Sequence, residues 1–196
     1  MEKLTFQGED GTTEEFYVLE QTRVGGVNYL LVADSEDEDG ECLILRDVAG
    51  DEERESLYEI VEDEQEQEGL LAVFEQLCQD VVNYYNGFES APGIQTDGEL
   101  TISENVADIG GMACALDAMK KLENPDYKLF FESNAKLWKI TGQRQYLESL
   151  STIDVHSFGI VRANRLAALF DEFYEAFDIT EEDGMYVAPE NRVSIW

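Results

Sequence analysis

Near Asp63 the spacing of apolar residues changes, and no other feature constrains the fold as strongly. Before it, apolar and aromatic residues come in strand-sized runs at 4–6, 15–19, 29–33, 43–46 and 57–61. Gly25-Gly26 and the acidic stretches DSEDEDGE and AGDEERE punctuate them. Short runs rich in β-branched and aromatic residues, separated by turn formers, predict an antiparallel meander with one face buried. After Asp63 the period becomes helical. Leu70, Leu71, Phe74, Leu77, Cys78, Val81, Val82 and Tyr85 recur at spacings of three and four, the pattern of one long amphipathic helix. The fold class is therefore α+β, a small N-terminal antiparallel β-meander domain followed by a mainly α-helical part.

The rest of the chain keeps the helical rhythm. Helices are expected over 104–122, 126–140, 143–150 and 161–177, with the Glu123-Asn124-Pro125 break closing the first. Residues 89–97, with Pro92-Gly93 inside, read as a loop. Leu166, Leu169, Phe170, Phe173 and Phe177 form an aromatic and aliphatic stripe whose simplest role is packing.

Charge excludes several functions. The formal net charge is −31, and residues 1–74 carry 23 acidic and 4 basic side chains. No basic patch or arm is available to neutralise phosphates or an anionic lipid surface, so neither nucleic acid nor membrane is an expected partner. Such a surface suits basic partners and divalent cations instead. No apolar run approaches the roughly 20 residues of a membrane span, and the N-terminus lacks the pattern of a signal peptide. Cys42, Cys78 and Cys114 have no CxxC spacing, which suggests reduced, buried thiols. The expected location is cytoplasmic.

One stretch asks for specific chemistry: DGELTISENVADIGG, residues 97–111. Glu104 and Asp108 are four apart, so on a helix they share one face. Thr101 or Ser103 can cap that helix. Gly110-Gly111 is poor helix material and suggests a place where another helix or backbone comes close. Paired carboxylates beside such a spot can form the carboxylate half of a metal site, while a solvated acidic helix face is the plainer alternative.

ENVADIGG resembles the ENxAD(x)GG signature of the neprilysin-like zinc metallopeptidases. FFESNAKLWK, STIDVHSFGIVRANR, FDEFYEAFDI and the closing RVSIW follow in that family's order. The resemblance implies a mainly helical C-terminal part of a zincin-type peptidase domain over residues 71–196. It implies Glu104 as the third zinc ligand and Asp108 as the aspartate that orients a ligating imidazole. It implies His156 as the donor to the oxyanion of the tetrahedral intermediate, with Asp154 orienting it. Arg162 matches the arginine that holds a substrate backbone carbonyl. Residues 1–70 resemble a second family, the YrzB-like small acidic domains of unknown function, through FYVLEQTRVGGVNYLLVADSEDEDGECLILRDV and LYEIVEDEQEQEGLLAVFEQL. These residues include the start of a linking helix, and the seam between the two resemblances falls near 70–78.

The departure from the peptidase pattern is large. The chain has a single histidine, His156, and no HExxH. Two of the resembled family's three zinc ligands and its general base are therefore missing. A catalytic zinc ordinarily takes three protein ligands, so no tightly held zinc is expected in this chain alone. The sequence thus reads as a truncated zinc metalloendopeptidase C-terminal region fused to an acidic domain and inactive by itself. Two alternatives stay open: one half of a split endopeptidase completed by an HExxH-bearing chain, and an acidic protein-interaction module. The expected partners follow from these readings. They are a complementing peptidase chain, or further copies of this chain held through exposed helical faces. A peptide substrate is expected only if the site is completed.

Overall fold

The computed structural model describes residues 2–7, 11–35, 40–49 and 56–194. Both acidic stretches anticipated as loops lie partly outside these residues, as do Ile195 and Trp196 of the closing motif. The chain forms two compact units that divide between Gln76 and Leu77, within the helix α1 (Glu64–Tyr85).

The first unit is an antiparallel sheet of β1 (Glu2–Gln7), β2 (Thr13–Val24), β3 (Val27–Ala33), β4 (Cys42–Asp47) and β5 (Tyr58–Ile60), in sequence order. The β2–β3 hairpin turns on Gly25 and Gly26, with φ of 61° and 88°. A two-residue hairpin turn of this kind requires positive φ at both positions, which glycine adopts without a steric penalty.

The expectation of one buried face needs correcting, because the sheet carries a cluster on each side. Phe16, Leu30, Val32 and Leu45 form one. Tyr29, Ile44 and Val61 form the other, together with Leu70 and Phe74 from the first half of α1. Two features explain this. The register of β2 slips between Val18 and Glu20, leaving Leu19 as the extra residue of a bulge. A bulge reverses the alternation beyond it and bends the strand. Phe16 and Val18 therefore face one side, whereas Glu20, Thr22 and Val24 face the other. The sheet also curls enough for Phe6 of β1 to meet Tyr58 of β5 edge-on, ring centroids 5.7 Å apart, although these strands lie at opposite edges. Glu66 anchors α1 to the sheet by accepting from the Tyr29 hydroxyl (3.1 Å) and from Arg46 Nη1 (3.2 Å).

The second unit begins with the rest of α1. It continues through the hairpin of β6 (Glu89–Ala91) and β7 (Ile94–Gln95), then α2 (Ile102–Lys120), α3 (Tyr127–Leu137), α4 (Arg144–Leu150), α5 (Gly159–Ala167) and α6 (Asp171–Phe177). The hairpin replaces the expected loop over 89–97; Pro92-Gly93 is its turn, with Gly93 at φ 71°. The single helix expected over 161–177 is two, because Phe170 takes extended backbone (φ −109°, ψ 131°). The break turns Phe173 inward onto Phe131 (5.4 Å between centroids).

Tyr85, Ile109, Met112, Leu116, Val161, Leu166 and Phe173 are buried together at the core. Burying side chains of this size contributes about 1.5–3 kcal/mol each. Gly159 is fixed by contact: a β-carbon there would collide with the Trp138 carbonyl, so glycine lets α5 start against the end of α3. The cysteines are not buried as expected. Cys42 opens an exposed strand end, Cys114 sits on the solvent face of α2, and Cys78 is partly covered.

Candidate functional site

Helix α2 carries two stripes. Asn105, Ile109, Met112 and Leu116 are buried. Beside them, at the same four-three-four spacing, run Glu104, Asp108, Gly111 and Ala115. The helix starts at Ile102, earlier than the sequence suggested. Thr101 is its N-cap residue without a side-chain cap bond; its hydroxyl donates to the Asp97 carbonyl (2.7 Å) and accepts from Asn105 Nδ2 (3.0 Å). The helix runs unbroken through Gly110-Gly111.

The loop between α4 and α5 brings His156 to Glu104, and α5 brings Arg162 to Asp108. His156 Nε2 lies 3.2 Å from Glu104 Oε2. On the other side of the ring, Nδ1 lies 2.8 Å from Asp154 Oδ1, which also accepts from the His156 backbone N–H (3.0 Å). These bonds hold the Asp154 carboxyl below the ordinary aspartate range, the backbone bond contributing most. A ring flanked by carboxylates on both nitrogens has both contacts satisfied when both nitrogens carry protons.

Arg162 donates through Nε to Asp108 Oδ2 (2.7 Å) and through Nη2 to Asp108 Oδ1 (2.6 Å). This bidentate geometry, 14% and 17% exposed for the two side chains, is among the stronger forms of ion pair. It holds the guanidinium above its ordinary value, the hydrogen bonds it donates to Asp108 outweighing desolvation. The Trp138 ring stacks on the guanidinium, 3.9 Å from centroid to Cζ.

All five residues singled out in the sequence, Glu104, Asp108, Asp154, His156 and Arg162, thus meet in one place. Two carry contacts that the resemblance did not suggest: Asp108 holds Arg162, and Glu104 faces His156. Sequence reasoning missed Trp138, Asn105 and Ser157. Asn105 lies inside the ENVAD motif, and Ser157 directly follows His156, so adjacency was the available signal.

Two hollows flank the array. One, about 650 Å³, is a groove between α2 and α3, walled by Gly111, Met112, Met119, Leu129, Phe130 and Leu137. The other, about 960 Å³, is walled by Ile140, Tyr146, Phe158 and Ile160 and has His156 and Arg162 in its lining. Trp138 lines both. A β-carbon on Gly111 would meet nothing within 4 Å, so the close approach anticipated there is not made by any described residue.

The donors do not fit a zinc centre on their own. Glu104 offers one carboxylate, and its imidazole neighbour is held from behind by Asp154, which contacts the opposite nitrogen and so shares no common centre with Glu104. Among the described residues no group of three His, Cys, Asp or Glu side chains is placed to hold a metal ion.

The helical unit and its carboxylate–imidazole–guanidinium array define the C-terminal helical part of a metallopeptidase domain. Residues 60–193 match the profile of peptidase family M13, and the chain belongs to that family. Residues 9–79 match a second profile, a protein of unknown function (DUF1292). The two matches overlap over residues 60–79, from the end of β5 through most of α1. Neutral endopeptidase of Lactococcus lactis subsp. lactis (strain IL1403) is 40% identical over 123 residues, covering 63% of this chain and 20% of that protein. Neprilysin of Homo sapiens is 30% identical over 138 residues, covering 63% of this chain and 18% of that protein. Among solved structures, PepO from Lactobacillus rhamnosis HN001 (DR20) superposes with a TM-score of 0.61 at 31% identity, covering 66% of this chain and 20% of that one. The zinc metalloprotease Zmp1 of Mycobacterium tuberculosis in its open state gives 0.57 at 25% identity, over 68% and 23%. The chain therefore spans about a fifth of the relatives it matches. The family is zinc-dependent. Among the described residues, no helix is long and apolar enough to cross a membrane.

Proposed function

We propose that this chain is inactive by itself and forms one part of a composite zinc endopeptidase site, completed by a separate HExxH-bearing segment. One observation carries the reading. Beside a pre-assembled Glu104–His156 and Asp108–Arg162 array, α2 leaves Gly111 open at the wall of an apolar groove. A helix interior loses about 1 kcal/mol with glycine in place of alanine, and nothing in the described chain uses the space this glycine creates. A docked helix would use it, and would bring the two histidines and the base that the chain lacks.

In the completed site Glu104 would turn from His156 to the metal, and His156 would be released to donate to a developing oxyanion. Arg162, clamped by Asp108 and Trp138, keeps Nη1 available for a peptide carbonyl. When bound, zinc would polarise the scissile carbonyl, distinct from the one held by Arg162, and activate water.

The test is complementation. Lactococcus neutral endopeptidase lacking the part that this chain matches is co-expressed with the full chain, and zinc-dependent cleavage of an oligopeptide is measured. Activity should need both polypeptides and vanish with Glu104→Ala. Cleavage by the purified chain alone, or no cleavage by a co-purifying pair, would overturn the proposal.

A further inference from the structure

One buried polar contact crosses from α2 to the loop that carries His156. Asn105 is 1% exposed and Ser157 is 5% exposed. The Ser157 hydroxyl donates to Asn105 Oδ1 (2.7 Å), and Asn105 Nδ2 donates to Thr101 Oγ1 (3.0 Å). Thr101, also buried, donates in turn to the Asp97 carbonyl (2.7 Å). The chain of bonds thus runs from the start of α2 to the residue after His156, and its central member is the residue after Glu104.

We propose that Asn105 and Ser157 are the positioning pair of this site, holding Glu104 against His156 through a bond neither of those two residues makes. The Glu104–His156 contact cannot hold itself. Their side chains are 34% and 48% exposed, and half-exposed pairs lose most of their attraction to water, salt and side-chain entropy. The Asn105–Ser157 bond is shielded from water and salt, and it joins two short side chains. Polar groups at this depth have no water to fall back on, so breaking the bond leaves an acceptor unpaired. A neighbour on each backbone then fixes where the two functional side chains start. The Asp108–Arg162 clamp cannot substitute for it, because it ties α2 to α5 and leaves the preceding loop free to shift. This is a property of the chain by itself and does not rest on a completing segment.

The single histidine makes the test clean, since the full-length chain gives one set of imidazole NMR signals. In the parent protein, Glu104→Gln should displace the His156 ring signals. In a Ser157→Ala background the same substitution should displace them by less than half as much. Ser157→Thr, which keeps the hydroxyl, should preserve the parent displacement. Val161→Ala, which opens the core without touching the bond, should also preserve it, separating positioning from general loosening. An undiminished displacement in folded Ser157→Ala would overturn the proposal, as would an equal loss in Val161→Ala. The unmutated chain supplies a second reading. The Asn105 side-chain amide protons should exchange as slowly as the backbone amides of α2, and exchange at the rate of an exposed amide would also overturn it.

Discussion

Replacing Asp108 by Asn keeps its size and removes one charge. Arg162 then stays in place without its direct partner, 14% exposed beneath the Trp138 ring, with only the more distant Glu104 and Asp154 carboxylates acting on it. Removing one partner of a fully buried pair costs about 3–5 kcal/mol, and removing one from an exposed pair about 0–1 kcal/mol. With both side chains about one-sixth exposed, and two bonds of 2.6–2.7 Å lost or weakened, the expected cost is about 2–3 kcal/mol. Arg162→Met removes the charge and keeps much of the apolar contact with Trp138, so it should cost less. The double variant buries no unpaired charge and should recover about 2 kcal/mol relative to the sum of the singles.

Urea unfolding followed by Trp138 fluorescence measures all three, in a Trp196→Phe background that leaves one tryptophan. In thermal unfolding of the same proteins, the midpoint temperature of Asp108→Asn should fall by about 10 °C for a unit of this size. The coupling should also persist in 1 M salt, which screens exposed pairs but not shielded ones. A coupling below about 0.5 kcal/mol, or one abolished by salt, would show that the pair behaves as an ordinary surface ion pair.

Two further outcomes follow from single positions. Burial raises the Glu20 carboxyl above its ordinary value, against a weaker pull from the Gln21 N–H. The folded first unit therefore favours protonated Glu20 and loses stability as pH rises through that raised value. Glu20→Gln, neutral throughout, should protect the β2–β3 amides from hydrogen exchange more than wild type at pH 7, and the difference should shrink towards pH 4; an advantage that grows on acidification would contradict the assignment. Gly111→Ala should raise the melting temperature slightly, by up to about 1 kcal/mol of helix stability, while Gly159→Ala, driven against the Trp138 carbonyl, should lower it by several degrees. A destabilised Gly111→Ala would mean that the α2 face is closed.

The strands and most helices were legible because their signals are local. Val27–Ala33 and Cys42–Asp47 announce themselves by composition, and α1 by a period sustained from Leu70 to Tyr85. What was not legible depends on partners distant in sequence. The bulge at Leu19 shows only in pairing with β3, so nothing local told Glu20 from an outward-facing glutamate. The break at Phe170 answers Phe131, about 40 residues away, and no periodicity reports that. The candidate site was legible as residue types at fixed spacings, and the family resemblance supplied the roles. Its geometry was not: that Asp108 would hold Arg162, and that Asn105 would reach Ser157 52 residues on, depends on how α2 and α5 pack.

The retained array and the open face carry different information about use. Asp108 and Arg162 stabilise the fold they sit in, and so do Asn105 and Ser157; folding alone is enough to keep them. Gly111 does the opposite, lowering helix stability and filling no contact. Leu122, Leu129 and Leu137 of the same groove, exposed by 55%, 55% and 77%, likewise give this chain nothing by facing water. A chain that needed only to fold would gain from alanine at Gly111 and polar groups on that surface. The net charge of −31 allows such a surface to stay in solution without removing its cost. A covering segment would remove it, which is why blocking the groove is more informative than deleting a ligand. Gly111→Leu should leave the isolated chain folded, since its side chain enters open space, and should abolish complementation as completely as Glu104→Ala does. If Gly111→Leu complements as well as wild type, the groove is not where the completing segment binds.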